Sequence, residues 1–158
     1  MTERDRGTED AAFLEDRPVG EEERRTLAAR IARLAVPEKV ELAARGNREV
    51  RAILSRDASS MVARAVIGSP KLSEEDVIAY ASSSLTNEEV LRVIAENRQW
   101  SANRRVVAAL VQNPRTPAPA AIRFLRSYPA RDLRLLSMNR GLSAAVRQEA
   151  RRLLARKH

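Results

Sequence analysis

The chain contains no cysteine. That excludes disulfides, thiolate metal sites and thiol nucleophiles. Its one histidine is the last residue, His158, and a chain end is a poor place for a base that needs fixed geometry. Aromatics are scarce, with two Phe, two Tyr and one Trp among 158 residues. The core must therefore come from Ala, Val, Leu and Ile, which suit close helix packing better than a deep aromatic-lined pocket. The five glycines are isolated, so there is no glycine-rich phosphate loop. No apolar run approaches the roughly 18 residues a membrane span needs. The charged start, Met1 to Asp10, has no apolar stretch behind it and does not read as a signal peptide. A soluble, cytoplasmic protein without membrane insertion is expected.

Charge is present in quantity and unevenly placed. The net charge is +8. Residues 1–23 carry nine Asp/Glu against three Arg, while residues 98–158 carry fourteen Lys/Arg against only Asp132 and Glu149. The chain thus runs from an acidic head to a basic C-terminal third, and a basic surface attracts polyanions or acidic protein patches. All basic residues except Lys39, Lys71 and Lys157 are arginine. That uniformity keeps arginine choice alone from marking phosphate recognition.

Residues 1–20 lack periodicity and read as a disordered acidic tail. Phe13-Leu14 is its one apolar pair, expected to do nothing specific. Residues 21–158 read as one α-helical domain. Leu27, Ile31, Leu34 and Ala35 mark a first apolar face at helical spacing. Pro37 begins a second helix, and Gly46-Asn47 stops it. Val50, Ile53 and Leu54 mark a third, and Met61, Val62, Ala65 and Val66 a fourth. Ser73 with Asp76, and Thr86 with Glu89, form capping boxes. Ser101 is expected to cap the helix bearing Val106 and Leu110, and Ser143 the last one, bearing Val146 and Ala150. Leu133, Leu135 and Leu136 mark the helix between. Nothing alternates with the period of a strand. The pattern predicts an all-α fold of about ten short helices that must stack to be stable.

One turn frame recurs: Ser69-Pro70-Lys71-Leu72-Ser73, Asn97-Arg98-Gln99-Trp100-Ser101, Asn113-Pro114-Arg115-Thr116-Pro117 and Asn139-Arg140-Gly141-Leu142-Ser143. Together with Val90 to Asn97 and Val106 to Pro114, these units resemble those of bacterial leucine-rich-repeat-variant and HEAT-like α-solenoids, over about residues 37–156. The resemblance implies an irregular solenoid of helix-turn-helix repeats, since the frames begin 28, 16 and 26 residues apart. It also implies a scaffold or protein-binding role. The cysteine-ligated iron–sulfur module that leucine-rich-repeat-variant proteins can carry is absent. HEAT-like solenoids in some DNA repair glycosylases hold duplex DNA, but no catalytic carboxylate of that kind can be placed here.

Catalysis needs a nucleophile, a base or a metal. Glu74-Glu75-Asp76 and Glu88-Glu89 read as first-turn carboxylates that complement a helix dipole. Ser82 to Ser84 has no histidine partner. Trp100 occupies the slot held by Leu72, Thr116 and Leu142, which points to a core plug rather than a base-stacking platform. No enzyme activity, cofactor, metal or small-molecule substrate is expected. The candidate functional residues are arginines on successive helices: Arg104, Arg105, Arg123, Arg126, Arg131, Arg134, Arg147, Arg151 and Arg152. Aligned in a stacked array, they would form a ridge for an anionic partner. A protein partner is the leading expectation. Nucleic-acid backbone binding is the alternative, with the acidic tail as an internal competitor.

Overall fold

A computed structural model describes residues 12–157, and among them there are helices and turns but no strand. A helical turn at 12–14 is followed by eleven helices. The expected all-α class and the number of helices both agree with this. The chain divides into two compact units, one running through Asp76 and the other from Val77.

The first unit holds α1 (Glu21–Ala32), α2 (Val36–Arg45), α3 (Arg48–Leu54), α4 (Ser60–Ile67) and the start of α5 (Glu74–Ser82). Helix α1 packs on α3, and α2 on α3 and α4. Leu27 and Ile31, one turn apart on α1, are buried with Val50, Leu54, Val62 and Val66. Met61, expected on the apolar face of α4, is instead 61% exposed. The inward face of α4 is Val62, Ala63, Val66 and Ile67, and Met61 falls off that arc. Pro37 lies in the first turn of α2, where its missing N–H costs nothing. Gly46 ends α2, and a methyl group there would lie 2.6 Å from Val50 Cγ1 and 2.7 Å from the Leu42 carbonyl oxygen. Only glycine fits so close an approach.

Residues 12–20 belong to the stretch expected as an acidic tail. Residues 12–20 are held against this unit. The Asn47 side-chain amide donates to the carbonyls of Ala12 and Glu15, both at 2.9 Å. The Asn47 backbone N–H donates to Phe13 O at 2.7 Å, and the Arg48 N–H donates to Asp16 Oδ1 at 2.8 Å. The Phe13 ring lies 4.5 Å under the Arg30 guanidinium. Low apolar content hid this segment because its anchors are backbone carbonyls. The first eleven residues of the expected tail, and His158, lie outside the described residues.

Ser73 and Asp76 form the predicted capping box. The Asp76 N–H donates to Ser73 Oγ and the Ser73 N–H to Asp76 Oδ2, each at 3.1 Å. Asp76 is also buried against Arg51, whose Nη2 lies 3.2 Å from Asp76 Oδ2 and whose Nη1 donates to Gly46 O at 2.8 Å.

The second unit holds the rest of α5, then α6 (Glu88–Glu96), α7 (Arg98–Ser101), α8 (Arg104–Gln112), α9 (Ala118–Leu125), α10 (Ala130–Met138) and α11 (Ala144–Arg156). Helix α11 packs on α9 and α10, and α9 on α6 and α8. Their shared core is Val111, Ala121, Leu125, Leu133, Leu136, Leu142, Val146 and Ala150. Burying such a side chain contributes roughly 1.5–3 kcal/mol. Trp100 is buried, as a core plug would be.

Two predicted caps shift. Helix α6 is capped by Asn87, which accepts from the Glu89 N–H at 2.9 Å. Its neighbour Thr86 is buried and donates instead to Tyr80 O at 2.7 Å. Helix α8 is capped by Asn103, which accepts from the Arg105 and Val106 N–H groups. Ser101 is the last residue of α7, a helix capped by Asn97. Ser143 caps α11 as expected.

Candidate functional site

Helices α8, α9 and α10 enclose a groove of about 870 Å³ in the second unit. Arg104, Val107 and Ala108 form one wall, Phe124 and Tyr128 lie at the end of α9, and Asp132, Leu135 and Leu136 form the α10 wall. The local sequence explains the opening. Pro129 cannot donate a backbone hydrogen bond, so α9 stops and α10 starts from it. The Tyr128 N–H closes the end of α9 by donating to Leu125 O at 3.0 Å. The Tyr128 carbonyl accepts from Lys157 Nζ at 2.8 Å. Partial burial, with the nearby Asp132 carboxylate adding to it, raises the Tyr128 phenol above its ordinary pKa. The phenol stays a neutral hydrogen-bond donor.

Helix α10 presents two unlike faces. Leu133, Leu136 and Ser137 are buried, whereas Leu135 is 59% and Met138 64% exposed. Leu135 was expected on the apolar inward face. It lies one residue, about 100° of helix, from the buried Leu136 and turns out of the core. Arg131 stands four residues before Leu135, and Arg134 four before Met138, so each arginine shares a flank with an exposed apolar side chain. Both arginines are exposed.

The nine nominated arginines do not form one set. Arg123 Nη2 donates to Ala95 O at 2.7 Å, in the last turn of α6, and its guanidinium lies 5.3 Å over the Phe124 ring. Arg151 Nη2 donates to Ser137 O at 3.2 Å, in the last turn of α10. Both satisfy carbonyls that a helix end leaves open, where cations are favoured. Arg152 pairs with Glu149 through two hydrogen bonds, one of 2.7 Å. That bond raises the guanidinium pKa and, with Arg126 and Arg156 also near, holds the Glu149 carboxyl below its ordinary range against the opposing effect of desolvation. Arg147 is half-buried, with a buried Nε that has no hydrogen-bond partner. Arg105 is exposed at the start of α8. Among the described residues, Arg104, Arg126, Arg131 and Arg134 are exposed and carry no side-chain hydrogen bond or ion pair. Of these, Arg104 lines the groove, and Arg131 and Arg134 are not among its lining residues.

The residues that reasoning from sequence missed are apolar: Phe124, Tyr128, Leu135 and Met138. The available signal was that Leu133, Leu135, Leu136 and Met138 cover more of a nine-residue helix than one buried face needs. Among the described residues, no cluster of three or more potential ligands could hold a metal ion, and no helix is long and apolar enough to cross a membrane.

Comparison with protein-family models, with curated proteins and with solved structures finds no match to the chain.

Proposed function

We propose that this chain is a non-enzymatic helical scaffold, of the HEAT-like or leucine-rich-repeat-variant kind, acting in the cytoplasm. It binds a protein partner through the second unit. The observation that carries the reading is the groove between α8 and α10, with the exposed Leu135 on its α10 wall. Neighbouring exposed apolar side chains beside a groove are a feature of interaction sites. The groove's lining includes one carboxylate, Asp132, and neither histidine nor cysteine.

Nucleic-acid backbone binding is the second reading, supported by the excess of Lys/Arg in residues 98–158. Two observations weigh against it. Asp132 puts a carboxylate among the groove's lining residues, and Arg123, Arg151 and Arg152 already hold partners within the fold.

The test is a photo-cross-linking side chain placed at Leu135 and, as control, at the exposed Met61. A discrete protein adduct from Leu135 and none from Met61 supports a scaffold. Random-sequence duplex DNA or RNA bound tightly, with affinity falling steeply as salt rises, replaces the scaffold reading with the second one.

A further inference from the structure

We infer that residues 12–16 are a detachable strap filling a peptide-binding site on the first unit, and that a protein partner with a segment of the same chemistry displaces it. That chemistry is the end of a helical turn with an aromatic and an apolar residue side by side, and a carboxylate three residues after the aromatic. In this chain those residues are Phe13, Leu14 and Asp16. The site is built from first-unit residues alone.

The occupant is read from how the strap is held. Most contacts go to its backbone. The Asn47 side-chain amide donates to Ala12 O and Glu15 O, both at 2.9 Å, and the Asn47 N–H to Phe13 O at 2.7 Å. A helix end offers such open carbonyls whatever its side chains. Asn113 holds the end of α5 by the same pair of contacts, to Ala81 O and Ser83 O, so the form recognised is a helix end. The side chains add selectivity. The Arg30 guanidinium lies 4.5 Å over the Phe13 ring, a cation against an aromatic face. Asp16 Oδ1 accepts from the Arg48 N–H at 2.8 Å, a bond strengthened by the carboxylate charge.

The strap can leave because the unit closes without it. Leu27, Ile31, Val50 and Leu54 are buried, whereas Phe13 and Leu14 are half-buried and Asp16 is exposed. Its described helical part is one turn, which has no stability of its own in water. Residues 17–20, which link it to α1, are not helical. Helix α1 starts from Gly20, whose carbonyl accepts from the Arg24 N–H at 2.9 Å. Space remains on both sides of the strap. A cavity of about 480 Å³ borders Phe13 and Leu14, with Leu34 and Leu42 in its wall. Another of about 430 Å³ borders Asp16 and Arg17, with Arg24 and Arg48 in its wall. A close-packed interior leaves no such space. A partner segment with a larger apolar side chain in the place of Leu14 fills the first cavity better, and that is how it displaces the strap.

The experiment uses the full chain and a strap variant, Phe13→Ser with Leu14→Ser and Asp16→Ser. The probe is a labelled peptide with the sequence of residues 10–19, followed by fluorescence anisotropy. A scrambled peptide and a Leu14→Trp peptide are compared with it. In the native chain the tethered strap competes at an effective concentration on the order of mM. The peptide is therefore expected to bind the strap variant about tenfold tighter than the native chain, or more, and the Leu14→Trp peptide to bind tighter still. Adding Asn47→Asp keeps the Oδ1 that caps α3 but removes the amide donor, and should abolish binding. Circular dichroism and the melting temperature check that each variant folds. Hydrogen exchange on the native chain is the second measurement. The Asn47 and Arg48 N–H groups donate to the strap and should exchange faster, by local opening, than the Ser55 N–H at the other end of α3.

No binding to the strap variant, equal binding of the scrambled peptide, or binding unchanged by Asn47→Asp overturns the site. Loss of the folded state in the strap variant, or equal protection of Asn47, Arg48 and Ser55, makes the segment part of the fold and overturns its detachment. A Leu14→Trp peptide that binds no tighter overturns the displacement. A dimer of the native chain that the strap variant does not form makes a second copy the occupant, and overturns the outside partner.

Discussion

Asn113 reaches back 32 residues to Ala81, donating from its side-chain amide to the Ala81 carbonyl at 2.8 Å and to the Ser83 carbonyl at 2.9 Å. Its Oδ1 accepts from the Arg115 N–H at 2.9 Å. In the first unit Asn47 does the same work, holding Ala12 O and Glu15 O while its Oδ1 caps α3. Both asparagines are buried. Each uses a planar amide to tie a turn to the end of a segment some thirty residues earlier. That is a use of asparagine that aspartate cannot copy, because a carboxylate has no N–H to give. Asn113→Asp should therefore destabilise more than Asn113→Ala, with the alanine variant losing about 1–3 kcal/mol through the carbonyls left open. Urea unfolding midpoints with an unchanged slope check this, and equal losses for the two variants would contradict it.

The Arg51–Asp76 pair is buried on both sides, and Arg51 also serves the Gly46 carbonyl. Removing Asp76 leaves the Arg51 charge in the core, whereas removing Arg51 leaves Asp76 paired with Arg48, whose Nε lies 3.3 Å from Asp76 Oδ1. Asp76→Ala alone should cost about 3–5 kcal/mol and Arg51→Met less, whereas removing both together should cost much less than the sum. A double-mutant cycle measures the difference, and strictly additive losses would contradict the coupling. Gly46→Ala tests the same corner by geometry. The added methyl must move Val50 or the Leu42 carbonyl, and a loss of about 1–3 kcal/mol is expected, as for overpacking.

Acid should weaken the fold in a set order. Burial pushes the Asp57 carboxyl up, but the Lys39 hydrogen bond, the Ser59 N–H and the Lys39 charge outweigh it, and its pKa lies below the ordinary value. A lowered carboxyl stabilises the fold above its unfolded pKa, about 3.9 for Asp. That contribution is lost as pH falls through the lower folded value. Asp57→Asn keeps the acceptor for Ser59 but removes the charge. The stability gap between the native chain and Asp57→Asn should be full at pH 7 and shrink below about pH 4. Unfolding midpoints across that range check it, and a gap that grows in acid would reverse the sign.

Much of the architecture was legible in local signals. The Ser73–Asp76 box and the Ser143 cap need only a hydroxyl or carboxylate at fixed spacing, and both formed. Where two capping residues were adjacent, spacing could not choose. Thr86 went to the Tyr80 carbonyl and left the cap to Asn87. The Asn97 turn concealed a four-residue helix, because Trp100 was read only as part of a turn frame. The division at Asp76 and the groove were not legible at all. Helical periodicity reports which face is apolar, not which neighbour covers it, and Leu135 and Leu136 look alike until the fold buries one and exposes the other.

The arginines of residues 98–158 look equivalent in sequence and should separate by experiment into two kinds. Arg123 and Arg151 hold carbonyls at the ends of α6 and α10, so replacing either by alanine reopens a helix end. Among the described residues, Arg104, Arg131 and Arg134 make no side-chain hydrogen bond or ion pair. Arg123→Ala and Arg151→Ala should each lower stability by about 0.5–1.5 kcal/mol. Arg104→Ala, Arg131→Ala and Arg134→Ala should stay within about 0.5 kcal/mol of the native chain, as surface changes do. Thermal melts of the five variants decide the matter. A loss at Arg131 or Arg134 equal to that at Arg123 would mean these arginines also serve the fold. If stability is unchanged at Arg104, Arg131 and Arg134, the fold does not require these three charges.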